Sequence, residues 1–459
     1  MRPSWNSRRC PYLDGQEPPL PLKRASDKPE TMVRSLLLLA VLAFSAPPVL
    51  AQNKTALLCG RVITGKDQPP LTNQAILVEG ERILAMTPVE SIPEGYRTID
   101  LSEYTVLPGL IDAHVHPLIY GDDYQNNHLK GSSAFNALRG LKTVQDWLGE
   151  GWTTLRIAGD ADVGYAHLEI RDAINSGLFE GPRIFGAGHY LSVTGGGGDI
   201  NYLSPDQPVV PDGLIVNGPD EVRKAVREEI KYGSDWIKLL VTGAFMSSGD
   251  NPQSVHFSDA ELAAALEEAG QRGVPVMAHA HSTEGIKKAI RAGARSIEHG
   301  SFLDEECIDL FLERGTYLVP TLAVGGYLKE EASESEALSK AYQLHLKYDA
   351  SINKMLSRAI ARGVKVGVGS DNVGFPPNFA AREFGYLTEL GMTPMQAIRA
   401  GTQVNAELLG QQANIGTLEP GKYADIIATR GNPLEDISEL ARVQFVMKGG
   451  RVYKAILED

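Results

Sequence analysis

Only three cysteines occur in 459 residues. Cys10 precedes the methionine expected to start the chain, which leaves Cys59 and Cys307, and two cysteines without motif spacing make neither a zinc site nor a disulfide framework. Both are expected to be plain buried thiols. Positive charge is also short: 44 Lys and Arg stand against 57 Asp and Glu, a net charge of −13. That balance excludes nucleic acid and anionic membrane surfaces as partners, since both need basic patches. No apolar run reaches the roughly 20 residues that span a bilayer. No internal repeat is present, and no Gly-rich dinucleotide fingerprint follows the first strand of the α/β region. What the chain does have is 43% hydrophobic residues, 22% charged residues and 47 glycines, the profile of a globular protein with many tight turns.

Residues 1–31 are polar and Pro-rich and carry no fold signal, and the chain is expected to start at Met32. Met32-Val33-Arg34 then opens a short apolar run that ends in Val49-Leu50-Ala51. A basic start, an apolar core of about ten residues and small residues before the cut describe a secretory leader. Export is therefore expected, with cleavage near Ala51 leaving Gln52 first. Short β-rich runs follow at 56–63, 74–80 and 82–86, and again at 424–428, 443–447 and 451–453. Neither set makes a stable sheet alone, so segments 52–106 and 412–459 are expected to pair into one small composite β-sandwich. Between them, over 107–411, strand-like and helix-like runs alternate eight times. A (β/α)8 TIM-like barrel explains that alternation better than an open doubly wound sheet. Ser258 to Glu261 reads as a capping box, and Thr393-Pro394 places proline at the first position of another helix.

The chemistry sits at the ends of the apolar runs, which in a barrel form the C-terminal rim where active sites are built. His114 and His116 close the first run. Two residues apart on a strand, they point to one face with Cα atoms about 6.5 Å apart, a spacing that suits one metal. His279 and His281 repeat the pattern after 274–278, His299 ends the next strand, and Asp371 follows 364–368. One histidine alone is more often a satisfied core residue; five at strand ends are not. Lys238 is flanked by apolar residues inside Asp235-Trp-Ile-Lys-Leu-Leu-Val241. A bare ammonium there must be paired or neutralised. Its amine can instead react with carbon dioxide to become a bridging carboxylate, which offsets the charge of nearby metal ions.

The set His114, His116, Lys238, His279, His299 and Asp371 resembles the metal-dependent amidohydrolase superfamily, in the order of its strands 1, 4, 5, 6 and 8. The resemblance extends to Val106-Leu-Pro-Gly-Leu-Ile-Asp-Ala-His-Val-His116, to Ile297-Glu-His-Gly300 and to Gly416-Thr-Leu-Glu-Pro-Gly-Lys-Tyr-Ala-Asp-Ile426. It covers nearly everything from Lys54 to Tyr453. The Lys238 strand and the His279/His281 spacing are most similar to the binuclear Xaa-Pro dipeptidase group, with its carboxypeptidase-like enzymes and ochratoxinase-type amidases. The resemblance implies two divalent metal ions, zinc before manganese, cobalt or nickel. His114, His116 and Asp371 would hold one, His279 and His299 the other, with carboxylated Lys238 as the bridge. It implies attack by metal-bound hydroxide, with Asp371 as the catalytic proton carrier and a neighbouring histidine stabilising the oxyanion. His281 is expected to face the substrate or support a ligand; the sequence leaves open whether it or His279 ligates. His189, ahead of the glycine run 195–198, is expected to contact a substrate carboxylate. Relatives often carry a histidine within that run where this chain has Gly197 and Gly198, so the loop is read either as a cover over the site or as a surface turn.

The expected substrate is a small amide or dipeptide with a carboxylate on its amine side: an Xaa-Pro dipeptide, an N-acyl amino acid or an ochratoxin-type aromatic amide. Opening of a cyclic amide, as in imidazolonepropionase-like relatives, is the second reading, and Lys238 argues against it. A non-catalytic periplasmic binding protein on the same scaffold is the third, and the intact set of ligands argues against that. A homo-oligomer is expected. Substrate choice should depend on the loops 118–136 and 373–381.

Overall fold

The computed structural model describes residues 54–457, apart from 122–123, 162–163, 248 and 335. The leader-like stretch and the upstream extension lie outside the described residues. Among those described, no helix is long and apolar enough to cross a membrane.

The β-rich beginning folds as its alternation requires. β1 (Lys54–Val62), β2 (Leu71–Glu79) and β3 (Arg82–Pro88) form an antiparallel meander, with Gly80 at φ 58° in the two-residue turn between the last two. β4 (Arg97–Pro108) returns parallel to β1, and the register shifts between Cys59 and Arg61. Gly60 sits at that irregularity because a Cβ there would lie 1.8 Å from the Ser102 carbonyl oxygen. β4 was not singled out in the sequence, and it runs through the expected boundary between residues 106 and 107 as one strand.

The barrel follows. Its strands are β5 (Leu110–Val115), β6 (Trp152–Ala158), β7 (Arg183–Ala187), β8 (Tyr190–Ser192), β9 (Leu214–Ile215), β10 (Ile237–Leu240), β11 (Val276–Ala280), β12 (Ser296–His299), β13 (Tyr317–Val319) and β14 (Lys365–Val366). All their pairings are parallel. The third barrel position is shared: β7 pairs with β6, while β8 pairs with β10. The ring closes where the Ala113 N–H donates to the Val368 carbonyl at 2.9 Å and the Asp371 N–H to the His114 carbonyl at 2.8 Å. This makes eight positions, with Lys238 on the fourth, His279 on the fifth and His299 at the end of the sixth. The Ser258 capping box and the Thr393 cap with Pro394 are both present on the outer helices.

β15 (Ile426–Thr429), β16 (Phe445–Lys448) and β17 (Arg451–Ala455) complete the first sheet, in the order β17-β16-β15-β4-β1-β2-β3. Chain beginning and chain end therefore share one sheet. One side packs Leu57, Ile76 and Phe445 into a core of its own, while Leu107, Ile427 and Val446 join the barrel core. Cys59 and Cys307 are buried and free.

One region departs from a simple barrel. Between β13 and β14, where one helix would suffice, the chain forms three: Leu322–Glu331, Glu336–Leu346 and Asp349–Arg362.

Candidate metal centre

The strand ends gather the expected side chains into two adjacent clusters. His114, His116 and Asp371 present one donor atom each within 4.8 Å of one another, and His279, His281 and His299 do the same. The clusters meet where the His114 and His299 rings lie 5.1 Å apart between centroids. Two of the residues have left-handed backbones, His299 at φ 70° and Asp371 at φ 53°. Strain of that kind persists only where the surrounding structure enforces it.

Most of the imidazoles have their outer nitrogen tied down. His114 Nδ1 lies 2.7 Å from Glu298 Oε2, and His116 Nδ1 lies 2.6 Å from the Gly159 carbonyl. His279 Nε2 lies 3.1 Å from the Gly243 carbonyl. Carboxylate and carbonyl oxygens only accept, so each of these nitrogens carries a proton and the other ring nitrogen offers a lone pair. The donor atom is then Nε2 in His114 and His116 and Nδ1 in His279. His281 and His299 pair with hydroxyls instead, Ser301 at 2.8 Å and Thr321 at 2.7 Å, which accept or donate as needed. Burial holds His281 down to about 3 and depresses His279 and His299 as well. Neutral imidazoles are the form a metal binds.

Asp371 Oδ1 is 3.2 Å from His116 Nε2 and 3.4 Å from His114 Nε2. Lys238 is 1% exposed, and burial pulls its ammonium down to about 8. Its side chain lines the same cavity as both clusters. Two adjacent clusters with five imidazoles and one carboxylate, and a buried amine lining the same cavity, fit a pair of divalent ions of the kind that imidazole and carboxylate ligands select.

The clusters form the base of a cavity of about 390 Å³. Ile119, Tyr124 and Val373 come from the loops expected to shape it, and Gly197 brings the glycine run to its wall. Its far side is built by the three helices after β13, through Leu322, Tyr342 and His345 among others. Their contribution, and that of Phe245, whose ring lies 4.8 Å edge-on to His281, had no sequence signal beyond apolar residues in a helical segment. His189 precedes the cavity-lining Tyr190; its Nδ1 pairs with Glu229 at 2.8 Å and its ring meets Tyr165. Asp112 and Glu298 stand inside the motifs quoted above, yet no role for them or for Arg156 follows from the sequence, because their partners lie far away in the chain.

Comparison with known proteins fits this geometry. A family model described as "Amidohydrolase family" matches residues 105–453. An ochratoxinase from Aspergillus niger is 35% identical over 437 residues, covering 87% of this chain and 86% of that protein. Among solved structures, a Xaa-Pro dipeptidase with methionine bound in its active site superposes with a TM-score of 0.81 at 36% identity, covering 88% of this chain and 100% of that one. The crystal structure of the A. niger ochratoxinase superposes with a TM-score of 0.78 at 33% identity, covering 88% of this chain and 96% of that one.

Proposed function

The chain belongs to the amidohydrolase family, and from that premise we propose that it hydrolyses an amide or peptide bond whose amine side carries a carboxylate. The observation that carries this reading is the pair of donor clusters at the base of one cavity, with the buried Lys238 in the same lining. Xaa-Pro dipeptides, N-acyl amino acids and ochratoxin-type aromatic amides are the substrate classes, in keeping with relatives named Xaa-Pro dipeptidase and ochratoxinase. The apolar and aromatic wall around Phe245 and Leu322 suits a bulky acyl or aromatic group.

His114, His116 and Asp371 would hold one divalent ion and His279 and His299 the other, zinc being the first candidate, with Lys238 carboxylated as the link. Of the pair His279 and His281, the fixed tautomer of His279 favours it as the ligand. Such ions, when bound, supply a Lewis acid and lower the pKa of water toward neutrality. The chain's own groups do the rest. Asp371, beside His114 and His116 at the cavity base, is placed to take a proton from an attacking water and return it to the leaving nitrogen. His281, held by Ser301 on the cavity wall, is placed to donate to an oxygen that gains charge. The buried walls exclude bulk water, which strengthens both interactions.

The test is metal content per chain in enzyme purified without chelator, with turnover on Xaa-Pro dipeptides, N-acyl-phenylalanines and ochratoxin A. About two ions per chain and turnover of at least one substrate is the expected result. One ion or none with no turnover would overturn the reading.

A further inference from the structure

Arg156 projects from β6 into the barrel beneath the metal residues and is 0% exposed. Its Nε donates to the Ala113 carbonyl at 2.5 Å, and Nη1 donates to Ser296 Oγ at 2.9 Å. Nη2 donates to both oxygens of Glu298, each at 2.9 Å. The guanidinium also lies 4.7 Å over the Trp236 ring. One side chain on the second barrel strand therefore touches the first, fourth and sixth. Glu298 is fully buried as well, and its Oε2 reaches His114 Nδ1. Every buried side-chain nitrogen and oxygen of Arg156, Ser296 and Glu298 has a partner, whereas Asp112 Oδ2 nearby has none among the described residues.

As a stabilising device a buried ion pair is a poor choice, because desolvation offsets most of the attraction and a well-packed apolar pair does as well. What an apolar pair cannot do is hold the proton of His114 on Nδ1. An acceptor-only carboxylate at that nitrogen leaves Nε2 with its lone pair facing Asp371 and His116. Arg156 in turn fixes the carboxylate, and through the Ala113 carbonyl it fixes the backbone next to His114.

We infer that Glu298 and Arg156 are positioning residues for the first metal cluster: Glu298 sets the tautomer and aim of His114, and Arg156 acts through Glu298. The inference rests on the two-metal reading above. It predicts a selective effect, because His279 and His299, which would hold the other ion, have their own, separate partners in the Gly243 carbonyl and the Thr321 hydroxyl.

The test uses cobalt(II) as the only probe, titrated into full-length enzyme stripped with chelator and followed by its d–d absorption. Wild type should bind two ions. Glu298→Gln keeps the shape and an oxygen for Arg156, but it turns an amide N–H toward His114 Nδ1. That drives the proton to Nε2 and blocks the donor atom. One of the two cobalt sites should weaken by about 10- to 100-fold while the other keeps its affinity, and Glu298→Asp should recover part of the loss. If Glu298→Gln does not fold, Arg156→Lys, which keeps the charge but loses the fork, should give the same selective weakening to a smaller degree. Two sites with wild-type affinity and spectrum in these variants would overturn the inference, and so would equal weakening of both. A wild-type chain that binds no cobalt would remove the two-metal reading itself, and the inference with it.

Discussion

Glu298 and His299 are consecutive residues at the end of one strand, yet both side chains point into the barrel. Glu298 reaches His114 in the first cluster at 2.7 Å, and the His299 ring packs 4.5 Å from His279 in the second. Successive side chains on a strand ordinarily face opposite ways. The left-handed backbone of His299, at φ 70°, removes that alternation. Thr321, which meets His299 Nδ1, and Asp371 are left-handed too, at φ 54° and 53°. The sixth strand thus ends on a strained residue at the site, and the seventh and eighth are each followed by one within five residues, so one short segment can serve both clusters.

Asp371 is the clearest place to separate binding from chemistry. Asp371→Asn keeps an oxygen in the first cluster but removes the carboxylate that the proposed reaction uses as proton acceptor. Turnover should fall by about 10²- to 10⁴-fold, the usual worth of a positioned general base, while metal content falls much less. Steady-state kinetics beside metal analysis checks it. A variant with normal turnover would end the proton-carrier assignment.

Lys238 lies at 1% exposure among Ile237, Leu239 and the two clusters. Lys238→Ala should lose most metal from one site and at least about 100-fold in kcat. Short carboxylic acids added to the variant should restore part of both, because they can occupy the place of a carboxylated lysine. Full metal content and a normal rate without rescue would make Lys238 an ordinary buried amine.

Much of this was legible in the sequence for a physical reason. His114 and His116, His279 and His281, and Asp371 announce themselves because apolar strand runs stop at them, and a barrel turns every strand end toward one rim. Pairing of the chain's beginning with its end followed from the shortage of strands at either one. Arg156 and Glu298 stayed hidden because a lone charge in an apolar strand looks the same whether it is paired or not, and its partners lie about 140 residues away in the chain. The helices after β13 were hidden differently. Their apolar residues fit an ordinary outer helix equally well, and only the closed barrel shows that they wall the cavity.

Phe245 should govern which amides are accepted. Its ring stands edge-on to His281 at 4.8 Å and faces His345 at 6.1 Å, so a substrate at His281 must pass it. Phe245→Ala removes apolar area worth about 1–3 kcal/mol to an aromatic substrate. The expected result is a fall of about 10- to 100-fold in kcat/KM for N-acyl-phenylalanines, with a smaller fall for Xaa-Pro dipeptides of small residues. Equal losses on both would show that Phe245 supports the fold rather than the choice of substrate.

Glu383 predicts a pH dependence that is independent of catalysis. It is 0% exposed beneath the helix Leu322–Glu331, where its Oε2 accepts the Ala323 N–H at 2.6 Å. Oε1 is buried with no partner among the described residues. Burial raises its pKa from 4.5 to about 8 against the pull of those backbone amides. Below pH 4.5 the carboxyl is protonated in the folded and unfolded chain alike and costs nothing. As pH rises from there toward 8, the unfolded chain releases a proton that the folded one keeps, so stability falls by about 1.4 kcal/mol per pH unit. Glu383→Gln has no proton to release and escapes that loss. Urea unfolding at about pH 5 and pH 8 should therefore show the variant gaining on wild type as pH rises. Asp112, which burial raises to about 7, titrates in both proteins and cancels in the difference. If the gap between the two proteins is the same at both pH values, Glu383 is ionised in the fold and the account of it as a neutral buried acid is wrong.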